Sequence, residues 1–215
     1  MMNILKYVFV TLGLSFCLVF FPSCRGNIIA TEEELADYGW IMYEDRNYLD
    51  ARDWFGDAIK KDTLYYDSYN GMGWTMGHLQ QADSSVHYFE KFLAIDTSFS
   101  SILDFYAGLS FAYSALGMNL EARTNCNIFF GRQNPILDPN WEFSHNKKIN
   151  HLDVRLILAL SEFRLGYFDS CQESINQIYK ESGSSTVVDE DFTTVTGRSV
   201  LAAHLNTLQG QLQNS

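Results

Sequence analysis

The sequence predicts an all-α protein, a solenoid of about four stacked helix pairs with a C-terminal capping helix. Three observations lead to this fold class. The 215 residues include only 3 prolines and 14 glycines, too few turn-forming residues for an all-β sandwich. Hydrophobic residues make up 47% of the chain, enough for a packed core and too many for a disordered chain. A pattern of small and aromatic residues recurs after 34 positions, and apolar residues recur at three- and four-residue steps.

The net charge of the chain is -11 at pH 7. A protein this acidic repels phosphate backbones, so we expect no nucleic-acid partner.

The first residues have the pattern of a secretion signal. Lys6 precedes an apolar run over residues 7–21, and Ser23-Cys24 follows that run. A small residue before a cysteine at this place resembles the lipobox of bacterial lipoproteins. The resemblance implies removal of residues 1–23, lipidation of Cys24 and a tether over residues 24–31. Because Arg25 rather than aspartate follows the cysteine, it also implies the outer membrane of a Gram-negative bacterium. An ordinary signal peptide and an uncleaved anchor are the alternatives.

Two segments of the chain carry the same residue pattern, 34 positions apart. Gly39 stands before Trp40, and Gly73 stands before Trp74. Small and aromatic residues follow both glycines at offsets of 12, 16 and 19, and these are Ala51, Phe55 and Ala58 and then Ser85, Phe89 and Phe92. The spacings resemble the tetratricopeptide repeat (TPR), a helix–turn–helix unit of 34 residues. The resemblance implies a right-handed α-solenoid that binds partner proteins.

Two further repeats follow with insertions. Ser110 takes the place of Gly73 after 37 residues, and Ala159 takes the place of Ser110 after 49. The second insertion falls at about residues 131–150 and contains both prolines of the chain after the signal. The repeat array therefore covers residues 32–182. Residues 183–215 are predicted to form a loop and an amphipathic helix that caps the open apolar end of the array.

A stripe of residues on the first helices forms the candidate binding site. In TPR arrays this side lines a groove for partner peptides, so the resemblance implies a partner groove formed by Trp40, Tyr43, Trp74, His78, Phe111, Leu160 and Phe163. An acid stands seven residues before each of Trp40, Trp74, Phe111 and Leu160, which gives a predicted acidic rim of Glu33, Asp67, Asp104 and Asp153. An aromatic floor with an acidic rim suits a peptide or helix with apolar and basic residues.

Structural explanations of the same pattern stay open. Acids in the first turn of a helix are favoured by the helix dipole without any ligand. Apolar stripes at helical spacing are usually core, which here either the insert or the last helix would cover. Trp141 and Phe143 of the insert are the side chains that would fill the groove, or they form a contact surface of their own.

The sequence contains no catalytic or metal-binding motif. No histidine pair has the spacing of zinc ligands, and neither a GxSxG elbow nor a Walker loop occurs. We therefore predict no enzyme, no metal and no cofactor. Cys126 and Cys171 are either small buried residues or, in an oxidising compartment, a disulfide.

Two functions fit these observations. The first is a lipid-anchored scaffold on an extracytoplasmic membrane surface, which binds a protein or peptide partner in envelope assembly or secretion. The alternative is a lipoprotein of a nutrient-uptake system that binds a small ligand or glycan, with aromatic side chains stacked on sugar rings.

Overall fold

The computed structural model describes residues 30–93, 101–133 and 140–213. The predicted signal peptide over residues 1–23 and the predicted lipidation site Cys24 lie outside the described residues. The chain divides into a first unit, Met1–Ala30, and a compact second unit, Thr31–Ser215. The described helices and strands all belong to the second unit.

Within the described residues the second unit is built from helix pairs, as predicted. Four pairs follow one another, and we call them repeats 1 to 4: α1 (Glu32–Glu44) with α2 (Tyr48–Lys61), α3 (Tyr66–His78) with α4 (Ala82–Leu93), α5 (Ile102–Ala115) with α6 (Asn119–Arg132), and α7 (His151–Leu165) with α8 (Phe168–Glu181). A last helix, α9 (Val195–Gln213), follows a loop. The fold is the predicted all-α solenoid.

Local sequence signals set several helix ends. Thr31 and Glu34 form a capping box at the start of α1, and Asn150 and Asp153 form another at the start of α7. Gly166 ends α7 in the left-handed conformation, with φ of 81°, which glycine adopts without the steric cost of a side chain.

The second helices of repeats 1 and 2, α2 and α4, each carry a phenylalanine that packs between consecutive repeats. Phe55 lies between Gly39 of its own repeat and Gly71 of the next, where an added Cβ would meet its ring at 2.6 and 2.2 Å. Phe89 lies in the same way between Gly73 and Gly108. The glycines thus leave the space that these buried rings occupy, which is the physical reason for the repeated pattern.

The C-terminal helix closes the end of the array. Three leucines of α9 are buried against α7 and α8, in a cluster with Ala159, Ile175 and Ile178; they are Leu201, Leu205 and Leu208. The preceding loop is fixed by Asn176, whose side-chain amide donates to the carbonyl of Val188 and accepts from its N–H.

The insert contains a β-hairpin. β1 (Glu142–Phe143) and β2 (Asn146–Asn150) pair antiparallel, with Phe143 opposite Asn146. β2 ends at Asn150, and α7 begins at the next residue, His151. The N–H of His151 donates to the carbonyl of Trp141 and so ties the start of α7 to the hairpin. Because its second strand continues into a packed helix, the hairpin has a defined position on the array.

Cys126 and Cys171 are free, buried thiols. None of the described helices is long and apolar enough to span a membrane.

Candidate functional site on the first-helix face

The first helices of successive repeats contact one another, α1 with α3, α3 with α5, and α5 with α7. We call the surface that these four helices form the first-helix face. These helices carry every residue of the predicted partner groove, and the hairpin of the insert packs against α1 and α3.

Phe143 is the residue that fills the face. Its side chain is fully buried, and its ring stacks on Trp74 with centroids 4.2 Å apart. It also meets the rings of Trp40 and Tyr43 edge-on, each at 6.1 Å. The hairpin thus covers the aromatic residues of repeats 1 and 2, so that Trp40, Tyr43 and Trp74 are only 4%, 2% and 6% exposed.

His145 holds the tip of the hairpin on the first repeat. Its imidazole stacks on Trp40 at 3.7 Å with an angle of 3° between the planes. Its Nδ1 lies 2.8 Å from a carboxylate oxygen of Glu44.

Two indole–carboxylate bonds cross the first-helix face. Trp40 Nε1 donates to Asp67 at 2.7 Å, and Trp141 Nε1 donates to Asp104 at 2.9 Å. Asp104 follows Asp67 by 37 residues and is its counterpart in repeat 3. Trp141 therefore binds the carboxylate that corresponds to the one Trp40 binds. Among the described residues, the buried Nε1 of Trp74 has no hydrogen-bond partner.

Three of the four predicted rim acids make contacts within the chain. Asp67 and Asp104 accept the indole bonds, and Asp153 accepts the N–H of Asn150 at the start of α7. Burial raises the pKa of Asp67 above its ordinary value, and the Trp40 bond lowers that pKa by less. Glu33 lies in the first turn of α1.

An open pocket of about 490 Å³ lies beside the hairpin, between repeats 2 and 3. Its aromatic walls are Trp74, Phe89 and Phe111. Ile149 of β2 and Asp153 of α7 border it on the hairpin side, and the remaining wall consists largely of glycines and alanines of α3, α4 and α5. This volume lies within the range of small-ligand pockets, roughly 300–1,000 Å³.

The predicted groove residues thus fall into three places. Trp40 and Tyr43 lie beneath the hairpin, and Trp74 lies both beneath it and in the pocket wall. His78 and Phe111 line the pocket. Leu160 and Phe163 pack, half-buried, against the C-terminal cluster. Trp141 and Phe143 are buried and cover the first-helix face. Of the two alternatives stated for them, filling the groove or forming a contact surface of their own, this position corresponds to the first.

The predicted groove did not include the small residues that make the pocket, Gly77, Ala82 and Ala115. A comparison of the repeats position by position would have found the first two, since Gly77 and Ala82 stand 34 residues after Tyr43 and Tyr48. No pattern in the sequence indicates that Ile149 borders the same space.

No cluster of three metal-ligating side chains occurs in the part of the chain that the structure describes. His78, the pocket residue best suited to proton transfer, is already bound, with Nε2 2.9 Å from the hydroxyl of Tyr43. Burial and the nearby Arg46 lower the pKa of His78.

No protein-family model and no curated protein matches the sequence. Solved structures match the fold. A tetratricopeptide repeat protein from Parabacteroides merdae superposes with a TM-score of 0.55 at 14% identity over 84% of this chain. The match spans only 60% of that protein's length.

Two further structures cover most of both chains. YrrB, a TPR protein with an unusual peptide-binding site, has a TM-score of 0.59 at 11% identity, over 82% of this chain and 86% of its own. PilW, a widely conserved type IV pilus biogenesis factor, has a TM-score of 0.58 at 16% identity, and the match covers 100% of this chain and 88% of PilW. At these identities the likeness establishes the fold alone, which is that of TPR proteins.

Proposed function

We propose that this chain is a lipid-anchored interaction scaffold, which binds a segment of a partner protein in the pocket of its first-helix face. The open pocket is the observation that carries the proposal, because the hairpin covers the neighbouring aromatic residues and leaves Phe111 and one side of Trp74 accessible from the pocket. The peptide-binding site of YrrB supports a peptide as the occupant.

The lining favours a protein side chain over a sugar. Sugar recognition needs several available hydrogen-bonding groups, and two of the polar side chains in the pocket are bound within the chain. Ser85 donates to the carbonyl of Gly73, and His78 contacts Tyr43. A glycan ligand is therefore the less suitable occupant.

Membrane attachment through Cys24 belongs to the same proposal, together with a role in envelope assembly or secretion at the bacterial outer membrane. The sequence Ser23-Cys24 after an apolar run supports it. The pilus biogenesis factor PilW, whose fold this chain shares, is consistent with an envelope role.

Labelling of cells with a radioactive fatty acid tests the anchor. The parent and Cys17→Ser, a matched change within the signal, are expected to take up the label and to have a mature chain that begins at Cys24, whereas Cys24→Ser is expected to remain unlabelled and uncleaved. A Cys24→Ser protein that is labelled like the parent overturns lipidation at Cys24.

Photo-crosslinking tests the binding site. A photoreactive residue at Gln80, on the pocket edge, is expected to crosslink one discrete partner in the native cell. The same residue at Thr124, an exposed position on α6, is expected not to crosslink it. Equal crosslinking from both positions contradicts a partner site at the pocket.

A further inference from the structure

The pocket lies at the junction of repeats 2 and 3. At the junction of repeats 1 and 2, a cluster of rings fills the corresponding place. Between repeats 1 and 2, Tyr48 stacks on His78 at 4.3 Å with an angle of 4°, and the hydroxyl of Tyr43 meets His78 Nε2 at 2.9 Å. These three side chains fill the first junction with rings.

The corresponding positions one repeat later carry small residues. Gly77 and Ala82 follow Tyr43 and Tyr48 by 34 residues, and Ala115 follows His78 by 37, the spacing between repeats 2 and 3. All three line the pocket. Two phenol rings and an imidazole are therefore missing from a junction whose backbone arrangement is otherwise repeated.

The walls of this space remain suited to a ring. Trp74 and Phe111 lie 6.0 Å apart in the wall, and Phe89 meets Trp74 edge-on at 6.2 Å. Aromatic rings at such distances favour a further ring in edge or offset contact.

Asp153 supplies a negative charge on the hairpin side of the pocket. Among the described residues that line the pocket it is the only carboxylate, and these lining residues include neither lysine nor arginine. A basic group that enters beside Asp153 with an inserted ring would therefore meet a complementary charge.

We propose that the pocket takes an aromatic side chain of the partner segment, with a basic residue next to it in that segment. The inserted ring occupies the space beside Gly77 and Ala82, which corresponds to the space that Tyr43 and Tyr48 fill one repeat earlier. This inference rests on the proposed function, and it specifies the side chain that anchors the partner.

Nuclear magnetic resonance with short peptides tests the proposal. The probe is the peptide Ac-Ala-Lys-Tyr-Lys-Ala-NH2, titrated into the full mature chain, and its relatives carry Phe, Leu or Ala in place of Tyr. The Tyr and Phe peptides are expected to shift the amide signals of Gly77, Phe111 and Ala115 saturably. The Leu peptide is expected to bind roughly 3- to 10-fold more weakly, because it lacks the ring contacts. Equal binding of the Leu and Tyr peptides overturns the aromatic preference.

Gly77→Tyr is the blocking variant, because it restores the residue found at this position in repeat 1. A Cβ added at Gly77 would meet Ser85 Oγ at 3.8 Å, an ordinary van der Waals distance, so the first side-chain atom fits. Peptide binding is expected to fall at least ~10-fold, because the added ring takes the volume that the peptide ring needs. Gly131→Tyr, the matched control on α6, has open space around its Cβ and is expected to bind like the parent. Unchanged binding by Gly77→Tyr overturns the proposal.

Replacement of the lysines separates the charge from the ring. The peptide with both lysines changed to glutamate is expected to bind more weakly, and the loss is expected to disappear in Asp153→Asn. A loss that persists in that variant overturns the pairing with Asp153.

The partner crosslinked from Gln80 distinguishes this inference from the proposed function. A crosslinked segment without an aromatic residue overturns the inference and leaves the scaffold function standing. The absence of any crosslink from Gln80 overturns the scaffold function itself.

Discussion

Phe143 of the hairpin lies nearly flat on Trp74 of repeat 2, with ring centroids 4.2 Å apart and an angle of 18° between the planes. One hairpin residue therefore completes the core on the first-helix face. The consequence is a division of the first-helix face into a closed part under the hairpin and an open pocket beside it.

The hairpin is predicted to be a permanent part of the core. Phe143→Ala removes a fully buried ring and should lower the free energy of unfolding by about 3–5 kcal/mol. Urea unfolding measures this, and the emission of Trp40 and Trp74 should shift to longer wavelength as water reaches them. Val187→Ala, at a position 77% exposed, should change stability by less than about 0.5 kcal/mol. A Phe143→Ala loss below about 1 kcal/mol would mean that the hairpin is only loosely attached.

The glycine contacts of the repeat junctions give a second prediction. Gly71→Ala places a Cβ 2.2 Å from the ring of Phe55, so it should destabilise the fold by about 1–3 kcal/mol. Gly131→Ala has open space and should be neutral or stabilise by up to about 1 kcal/mol, as alanine does in a helix. Thermal unfolding of the two variants compares them. Equal effects would contradict the role of Phe55 as the link between repeats.

The pH dependence of stability should report the burial of Asp67. Its pKa in the folded chain lies above the ordinary 3.8 because burial disfavours the carboxylate. The folded state then binds the proton more tightly than the unfolded state, so the contribution of Asp67 to stability falls as pH rises through 3.8 towards the folded pKa. Asp67→Asn keeps an acceptor for Trp40 and removes this fall.

Urea unfolding at several pH values checks this. The stability of Asp67→Asn relative to the parent should rise with pH across this range and then level off. Asp153 and Glu162 have pKa values raised by burial too, but both proteins contain them, so their effect cancels in the difference. A difference independent of pH would contradict the assignment.

The two described cysteines should be unreactive in the folded protein. Both are buried free thiols, and burial raises the pKa of each to about 12. In a chain with Cys17→Ser and Cys24→Ser, alkylation by iodoacetamide should be slow in buffer and complete in denaturant, because the thiolate is the nucleophile. Reducing agent should leave the melting temperature unchanged. Fast alkylation of the native chain would contradict this burial.

Much of the fold follows from local and periodic signals. The recurrence of Gly39 at Gly73 gives the helix pairs, and the leucines after Thr194 give the capping helix, because helical periodicity is a property of the sequence alone. The hydrogen bond of Trp40 to Asp67 is harder to predict from the sequence. It joins residues 27 apart on different helices, and only their spatial neighbourhood reveals it.

The site depended on a segment without helical periodicity. The insert carries no repeated pattern, so the sequence did not predict its hairpin, and it offered Trp141 and Phe143 as side chains that fill the groove only as one of two alternatives. The pocket arises from what is missing at Gly77 and Ala82. Absent side chains leave no hydrophobic pattern, and they become visible only when the repeats are compared.

The crosslinking yield from Gln80 in two variants, Gly77→Tyr and Gly131→Tyr, tests most directly whether the pocket binds the partner. Both variants add the same side chain, but only the first fills the pocket. A partner bound in the pocket predicts that the crosslink is lost in Gly77→Tyr and kept in Gly131→Tyr, with both proteins folded by circular dichroism. An undiminished crosslink in folded Gly77→Tyr would contradict binding at this site.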